Sequence, residues 1–443
     1  MKKYILFTVL LLTVIYCNSQ NSTKNKEQPV KYLGSKTPYF PNKELSTKVP
    51  DSLKPVAIAM IARHGSRYMS SPDEDIALLT LLTKAKQKKQ LTKTGKQLFK
   101  SISLLTEIQN NNYGNLSIKG LEEHQILGST LGKEYSKLLS HSKIQANSTY
   151  KQRTKDSRAS FLTALSKEIN TPINIVRYNN PKGKDSLLRF YKTNKSYILY
   201  KEKAEFKKQY NRIKNSLCFQ KTTKRIIHQL FKKKYADSLL KDNFKPIYNE
   251  EGEITIENSS DIIIALYECY KISEGLYKEG ADSFRSYFIK NDLEELSYMS
   301  SIESFYEKAI GYPDTNITYS IASPLLKEFL VKIDHSLKTN SNLVYLNFAH
   351  AETIGPFAVL TGLQSKVEPQ EVLPRDYFNE SELIKMGSNI QWILYVSKNK
   401  KNYIKILYNA KEINLPLTSY GTAIYLWDDV FIFYKNTLAK LNS

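Results

Sequence analysis

A chain of 443 residues can bury a large core, and its length alone points to two or three domains. Its 65 lysines and arginines against 43 acidic residues leave a formal charge of +22. That raises a nucleic-acid partner as the first class to weigh, and it equally fits the solvated surface of a chain rich in Asn, Ile, Lys and Tyr. The six histidines (His64, His124, His141, His228, His335 and His350) form no HExxH-like pair, the cysteines lack metal spacing, and no GxxxxGKS/T loop is present. The sequence therefore argues against a zinc or iron centre and against nucleotide-driven transfer.

At the N-terminus, Lys2 and Lys3 precede an apolar run from Tyr4 to Tyr16, too short for a membrane span and suited to a signal-peptide core. Cleavage after Ser19 fits the small residues Cys17 and Ser19, with lipidation at Cys17 as the alternative; residues 20–50 read as a polar tether. The uncharged run Val56 to Ala62 predicts a buried strand of a parallel sheet, and Arg63-His64-Gly65-Ser66-Arg67 emerges at its C-terminal end, where open α/β sheets hold their ligands. An imidazole there can attack phosphorus through Nε2 if Nδ1 donates to a backbone carbonyl, and Arg63 and Arg67 can clamp phosphoryl oxygens. Gly65 suits a tight turn with close backbone approach.

A helix is predicted from near Ser117, its N-cap, to about Leu139, with Leu127, Leu131, Tyr135 and Leu138 on one buried stripe; His124 on it reads as a satisfied core histidine. The stretch Ser148 to Leu162 reads as a strand end turning into a helix, with Arg153 at the turn. Residues 170–310 are mostly helical in pattern, as in Lys201 to His228 and Ser283 to Ile310, and residues 181–250 hold 19 Lys/Arg against 6 Asp/Glu. Cys218 and Cys269 fall there, as a bridge or as two free thiols. Ser323-Pro324 opens a further helix, and the apolar run Leu343 to Ala349 predicts a second strand that ends in His350-Ala351-Glu352 before a helix to about Gly362.

On these residues the chain resembles the histidine acid phosphatases, the second branch of the histidine phosphatase superfamily, and within it the multiple inositol polyphosphate phosphatase type, because the distal triplet is His350-Ala351-Glu352 instead of His-Asp. Leu116 to Gly120, His124 to Gly128, the Arg153 segment, Met386 to Gln391, Ile406 to Asn409 and Leu415-Pro416 match in order, so that the resemblance spans roughly residues 55 to 417. The family usually has proline two residues after the second arginine, where this chain has Met69. Proline supplies rigidity and no functional group, so the difference bears on the path of the loop. The other branch usually has glutamate after Arg-His-Gly, and Ser66 and Arg67 argue against it.

The resemblance implies an α/β fold with a mainly parallel sheet flanked by helices and an inserted helical cap: residues 51–170 and 311–443 in the α/β part, 171–310 in the lysine-rich cap, after a signal peptide at 1–19. It implies that His64 is the nucleophile, that Arg63, Arg67, Arg153 and His350 bind phosphate, and that Glu352 is the proton donor, with no metal or cofactor. The expected substrate is a polyanionic inositol phosphate in the periplasm or outside the cell, with no nucleic-acid partner. Alternatives are a phosphatase for smaller esters such as 2,3-bisphosphoglycerate and a non-catalytic polyanion-binding protein. Lys203, Lys207 and Lys208 are candidates for recruiting substrate to the mouth, against the reading that they are solvated helix faces.

Overall fold

The strand β1 (Leu53–Arg63) runs through the middle of an eight-stranded sheet, in keeping with its uncharged run from Val56 to Ala62: every residue from Ala57 to Arg63 is buried. The computed structural model describes residues 31–40, 47–242, 244–363 and 367–441, so the expected signal peptide, Cys17 and most of the expected tether lie outside the described residues. The other strands are β2 (Lys143–Ser148), β3 (Asn174–Asn179), β4 (Leu343–Ala349), β5 (Asn389–Ser397), β6 (Asn402–Tyr408), β7 (Lys411–Glu412) and β8 (Ile424–Leu426). Their order is β8-β6-β5-β1-β4-β2-β3, with β7 beside β6. The strands β1, β4, β2 and β3 are mutually parallel, as expected. The C-terminal strands extend the sheet antiparallel, because β5 and β6 are joined by a short hairpin, closed by Ser397 N–H on Lys401 O (2.9 Å), with no helical crossover between them.

Alternate residues of β1 feed two apolar cores. Ile58, Met60 and Ala62 face Leu127 and Leu131 of α1 (Ile118–Ser140) and Phe161 of α2 (Gln152–Lys167). Ala57, Ala59 and Ile61 belong to the core that continues into the helical region. The Ser117 hydroxyl caps α1 by accepting from Gly120 N–H (3.1 Å), and Leu127, Leu131, Tyr135 and Leu138 are buried as the stripe predicts. Inside this apolar sheet Asn347 is fully buried, accepting from Asn147 Nδ2 (2.9 Å) and donating to Met60 O (3.1 Å), so one polar ladder crosses β2, β4 and β1.

The helical region includes α3 (Ser259–Ser273), α4 (Lys290–Lys308) and helices at Lys195–Lys203, Phe206–Lys214 and Leu217–Leu230. The Lys201 to His228 stretch is thus cut into pieces, at Ala204, whose φ is 41°, and at the Ser216 cap. Two helices from the segment assigned to the α/β part, Glu74–Gln87 and Lys93–Gln109, pack here, the first on α3 and the second on Leu217–Leu230. The helical body therefore begins at residue 74 and is drawn from two stretches of chain. The described residues from Tyr32 on form one compact unit. Cys218 is exposed, Cys269 is buried and both are free thiols, so no bridge joins them. No described helix is long and apolar enough to cross a membrane.

The crossing of α1 over α2 is close because Gly128 has no side chain: a Cβ there would meet Phe161 O well inside van der Waals contact. In an open helix Gly→Ala would stabilise, but against backbone the added methyl forces the helices apart. Gly128→Ala should therefore destabilise the protein by about 1–3 kcal/mol, read as a lower urea midpoint.

Candidate active site

Three parallel strands end together: β1 leads into His64, β2 into Thr149 and β4 into His350. His64 N–H continues the ladder onto Ala349 O (3.0 Å), which fixes the two histidines side by side. The His64 Nδ1 lies 2.9 Å from Gly65 O, so the neutral ring carries its proton there and leaves the Nε2 lone pair free. Burial, then the charges of Arg153 and Arg63, hold this imidazole well below its ordinary pKa. The His350 ring stands edge-on to it with centroids 5.5 Å apart, and its Nε2 pairs with Thr149 Oγ1 at 3.0 Å.

Arg63, Arg67 and Arg153 converge on the same space. Arg63 is held through Nη1 by Ser35 O (2.7 Å) and by Ile384 O, and Arg67 through Nη1 by Tyr68 O (2.6 Å); Arg153 projects from the first turn of α2. All three Nε atoms are buried without a protein partner, as is His350 Nδ1. Burial lowers each guanidinium's pKa, yet all remain charged at neutral pH. Orphaned cationic donors around a neutral imidazole fit a tetrahedral anion such as phosphate. Glu352 sits in the first turn of α5 (Ala351–Leu360), with His350 as the N-cap residue. Burial would raise its carboxyl, but Lys308, then His350, outweigh that and hold it well below the usual carboxylate range.

A supporting layer fixes the loop. Glu123 on α1 is completely buried and accepts from Ser66 N–H (2.7 Å), Ser66 Oγ (2.7 Å) and Tyr39 N–H (3.0 Å). One turn-neighbour on, His124 is buried as expected, but its Nε2 lies 3.0 Å from Arg63 O, so it braces the site backbone. Gly65 and Gly120 allow that approach, since a Cβ on either would strike backbone of the other's segment. From the far side, Ser388 O accepts from Arg63 N–H (2.7 Å) and Gly387 N–H donates to His64 O (3.1 Å). At Met69, where the resemblance leads one to expect proline, the amide is used: it donates to Gln109 Oε1 (2.8 Å), a bond proline could not make.

Sequence reasoning missed Glu123, although its place on the same helix face as Gly120 and His124 signals it. It also missed Arg189, which stacks over Tyr150 (4.7 Å to the ring centroid) and donates through Nε to Tyr191 OH (3.1 Å). Tyr191 in turn meets the His350 ring at 6.3 Å. Lys203, Lys207 and Lys208 lie exposed on the Lys195–Lys203 and Phe206–Lys214 helices, and none lines the cavity on the helical side of the site; the lysines there are Lys36, Lys271 and Lys308.

The strand-end histidine pair and its arginines are those of a histidine phosphatase. The sequence model of the histidine phosphatase superfamily, branch 2, matches residues 57–409, and the chain belongs to that family. Its fold is that of the Bifidobacterium longum multiple inositol polyphosphate phosphatase in complex with inositol hexasulfate, with a TM-score of 0.79 at 22% identity, covering 90% of this chain and 96% of that one. The phytase of D. castellii is similar at a TM-score of 0.64 and 17% identity, covering 96% and 90%. Hafnia alvei phytase in complex with myo-inositol hexakis sulphate reaches 0.52 at 12% identity, covering 88% and 98%. At these identities the likeness is one of fold. Comparison with curated protein sequences finds no match.

Glu123→Gln sets an amide N–H against the donors that the carboxylate now satisfies. We expect a loss of about 1–3 kcal/mol in denaturation and a lower kcat, since the loop bearing His64 loses its anchor.

Proposed function

We propose that the protein is a phosphomonoesterase acting on inositol polyphosphates, phytate among them, through a phosphohistidine on His64. The observation that carries this reading is the His64 Nδ1 to Gly65 O contact, which leaves Nε2 as a nucleophile amid the unpartnered donors of Arg63, Arg67 and Arg153. In the first step Nε2 forms a bond to phosphorus while the phosphorus–oxygen ester bond breaks. The electron pair leaves on the inositol oxygen, which takes a proton from Glu352. Water then attacks the phosphohistidine, gives its proton to the Glu352 carboxylate and releases phosphate and neutral His64. The arginines neutralise charge on the phosphoryl oxygens in both steps, and His350 donates a hydrogen bond to them.

Glu352 is ionised in the free protein, and an acid must be protonated to donate. A bound polyanion supplies the difference: its negative charge offsets Lys308 and Arg63 and raises the carboxyl's affinity for a proton. That coupling favours a heavily phosphorylated substrate over a small ester, and the inositol hexasulfate and phytase relatives support the same class. The histidine-arginine set together with an acid at the leaving group argues for turnover over mere binding. A periplasmic or secreted site of action belongs to this reading and rests on the Lys2-Lys3 and Tyr4 to Tyr16 pattern.

Phosphate release from inositol hexakisphosphate by the wild type tests the proposal directly. His64→Ala should lose activity by several orders of magnitude and yield no acid-labile phosphoenzyme on rapid quenching; retention within about tenfold would rule out the covalent route. Glu352→Gln should lose about 10²-fold or more on the hexakisphosphate and far less on 4-nitrophenyl phosphate, whose leaving group needs no proton. Equal losses on the two substrates would assign Glu352 to positioning.

A further inference from the structure

In the proposed mechanism His350 gives a hydrogen bond to the phosphoryl oxygens, and a neutral imidazole has one N–H to give. His350 is buried, and burial, then the charge of Arg153, hold its pKa well below the ordinary value, so the ring of the free protein is neutral. It stands edge-to-face with the rings of His64 (centroids 5.5 Å apart) and Tyr191 (6.3 Å), which hold its plane. Its Nε2 is taken by Thr149 Oγ1 at 3.0 Å, whereas Nδ1 is buried without a partner among the described residues and is the nitrogen left to meet a ligand. The contact at Nε2 therefore decides the chemistry at Nδ1. If Nε2 carries the proton and donates to Thr149, Nδ1 turns a lone pair toward an anion; if Thr149 donates to Nε2, Nδ1 keeps the proton and can bind one.

Thr149, just past the end of β2, and Thr154, in the first turn of α2, are completely buried, and their hydroxyl oxygens lie 2.9 Å apart. Thr149 N–H is fixed on Phe348 O (3.3 Å), two residues before His350, and Lys151 N–H donates to the Thr149 hydroxyl oxygen (3.4 Å). Each hydroxyl has one proton to place. If the Thr149 proton went to Thr154, the Thr154 proton would need a carbonyl. Lys151 O (2.8 Å) already accepts from Thr154 N–H (3.1 Å) and Lys155 N–H (3.3 Å), which fills its two lone pairs, and Thr149 O lies farther off at 3.2 Å. We propose that Thr154 and Thr149 are positioning residues that pass hydrogen bonds one way, Thr154 O–H to Thr149 Oγ1 and Thr149 O–H to His350 Nε2, and so keep the His350 proton on Nδ1 for the phosphoryl group. The proposal rests on the phosphoryl-transfer reading above and adds to it what makes His350 a donor. Both threonines act through His350 and touch no substrate.

Nitrogen NMR of the full chain with isotope-labelled histidine reads the tautomer, because the protonated and bare ring nitrogens of a neutral imidazole resonate far apart; the His350 signals are those that His350→Ala removes. At neutral pH the wild type should hold the His350 proton on Nδ1, Thr149→Val should shift it toward Nε2, and Thr149→Ser should restore it. On 4-nitrophenyl phosphate Thr149→Val should lose about 10²-fold in kcat/KM, the scale of one donor to developing phosphoryl charge, and Thr149→Ser should recover most of it. In a His350→Ala background the same Thr149→Val change should cost less than about twofold, since no ring is left to orient. A wild-type proton on Nε2, a Thr149→Val rate within about twofold of wild type, or full additivity with His350→Ala would overturn the relay. The wild-type tautomer decides the matter even where the valine variant does not fold. Because the rates are read on the aryl ester, the relay stands or falls apart from the inositol reading, which fails if the same wild type leaves the hexakisphosphate untouched.

Discussion

The constraint on which the rest depends is the gathering of three buried guanidiniums around an uncharged imidazole. Like charges in a poorly hydrated space repel, so the arrangement persists only where backbone carbonyls and packing hold each group in place. Ser35 O, Ile384 O and Tyr68 O do this for Arg63 and Arg67, and none of them neutralises the charge. Burial, with the charges of Arg153 and Arg63 behind it, keeps His64 unprotonated, whereas at Glu352 the charge of Lys308 outweighs burial and keeps the carboxyl ionised. In the proposed mechanism the nucleophile and the acid thus rest in states that a bound phosphate would rebalance.

Holding that geometry falls to groups that never touch the chemistry. Glu123 takes three donors with no cation beside it in hydrogen-bonding contact, His124 braces Arg63 through the main chain, and the Gly65–Gly120 approach sets how near α1 can come. The loop is a clamp built from one helix face and one strand end. Its stiffness comes from many short bonds, including the one that the Met69 amide gives to Gln109.

Much of this was legible in the sequence. The apolar runs at Val56 and Leu343 give two parallel strands, and the residues that follow them meet because parallel strands present their C-terminal ends on one edge. The Ser117 cap and the leucine stripe were readable from local spacing, which depends on nothing farther than one helical turn. Glu123 went unread because a carboxylate bound for burial looks like a surface one until its donors are known; its spacing of three residues from Gly120 is the one local sign. Arg189 escaped for a similar reason: its stacking partner Tyr150 is brought to it by the fold from another segment. The basic run at Lys203, Lys207 and Lys208 is conspicuous as composition, but helix periodicity turns those positions to solvent, whereas Lys271 and Lys308 sit singly in ordinary helical sequence and reach the cavity.

The pairing of β1 also shapes how the protein comes into being. Its neighbours are β4 and β5, so Ala57 must find Leu343 on one side and Leu394 on the other, across almost the whole intervening chain. The helical body has the same character, since Glu74–Gln87 waits for Ser259–Ser273. Closing such long loops is slow and leaves the central strand an unpaired apolar edge until the last third of the sequence is available. The site residues that follow β1, Arg63, His64 and Arg67, are therefore synthesised early and assembled late, when His350 and Glu352 arrive. A chain threaded unfolded across a membrane would carry no competent fragment on the near side, and hydrolysis would begin only where the C-terminal strands arrive.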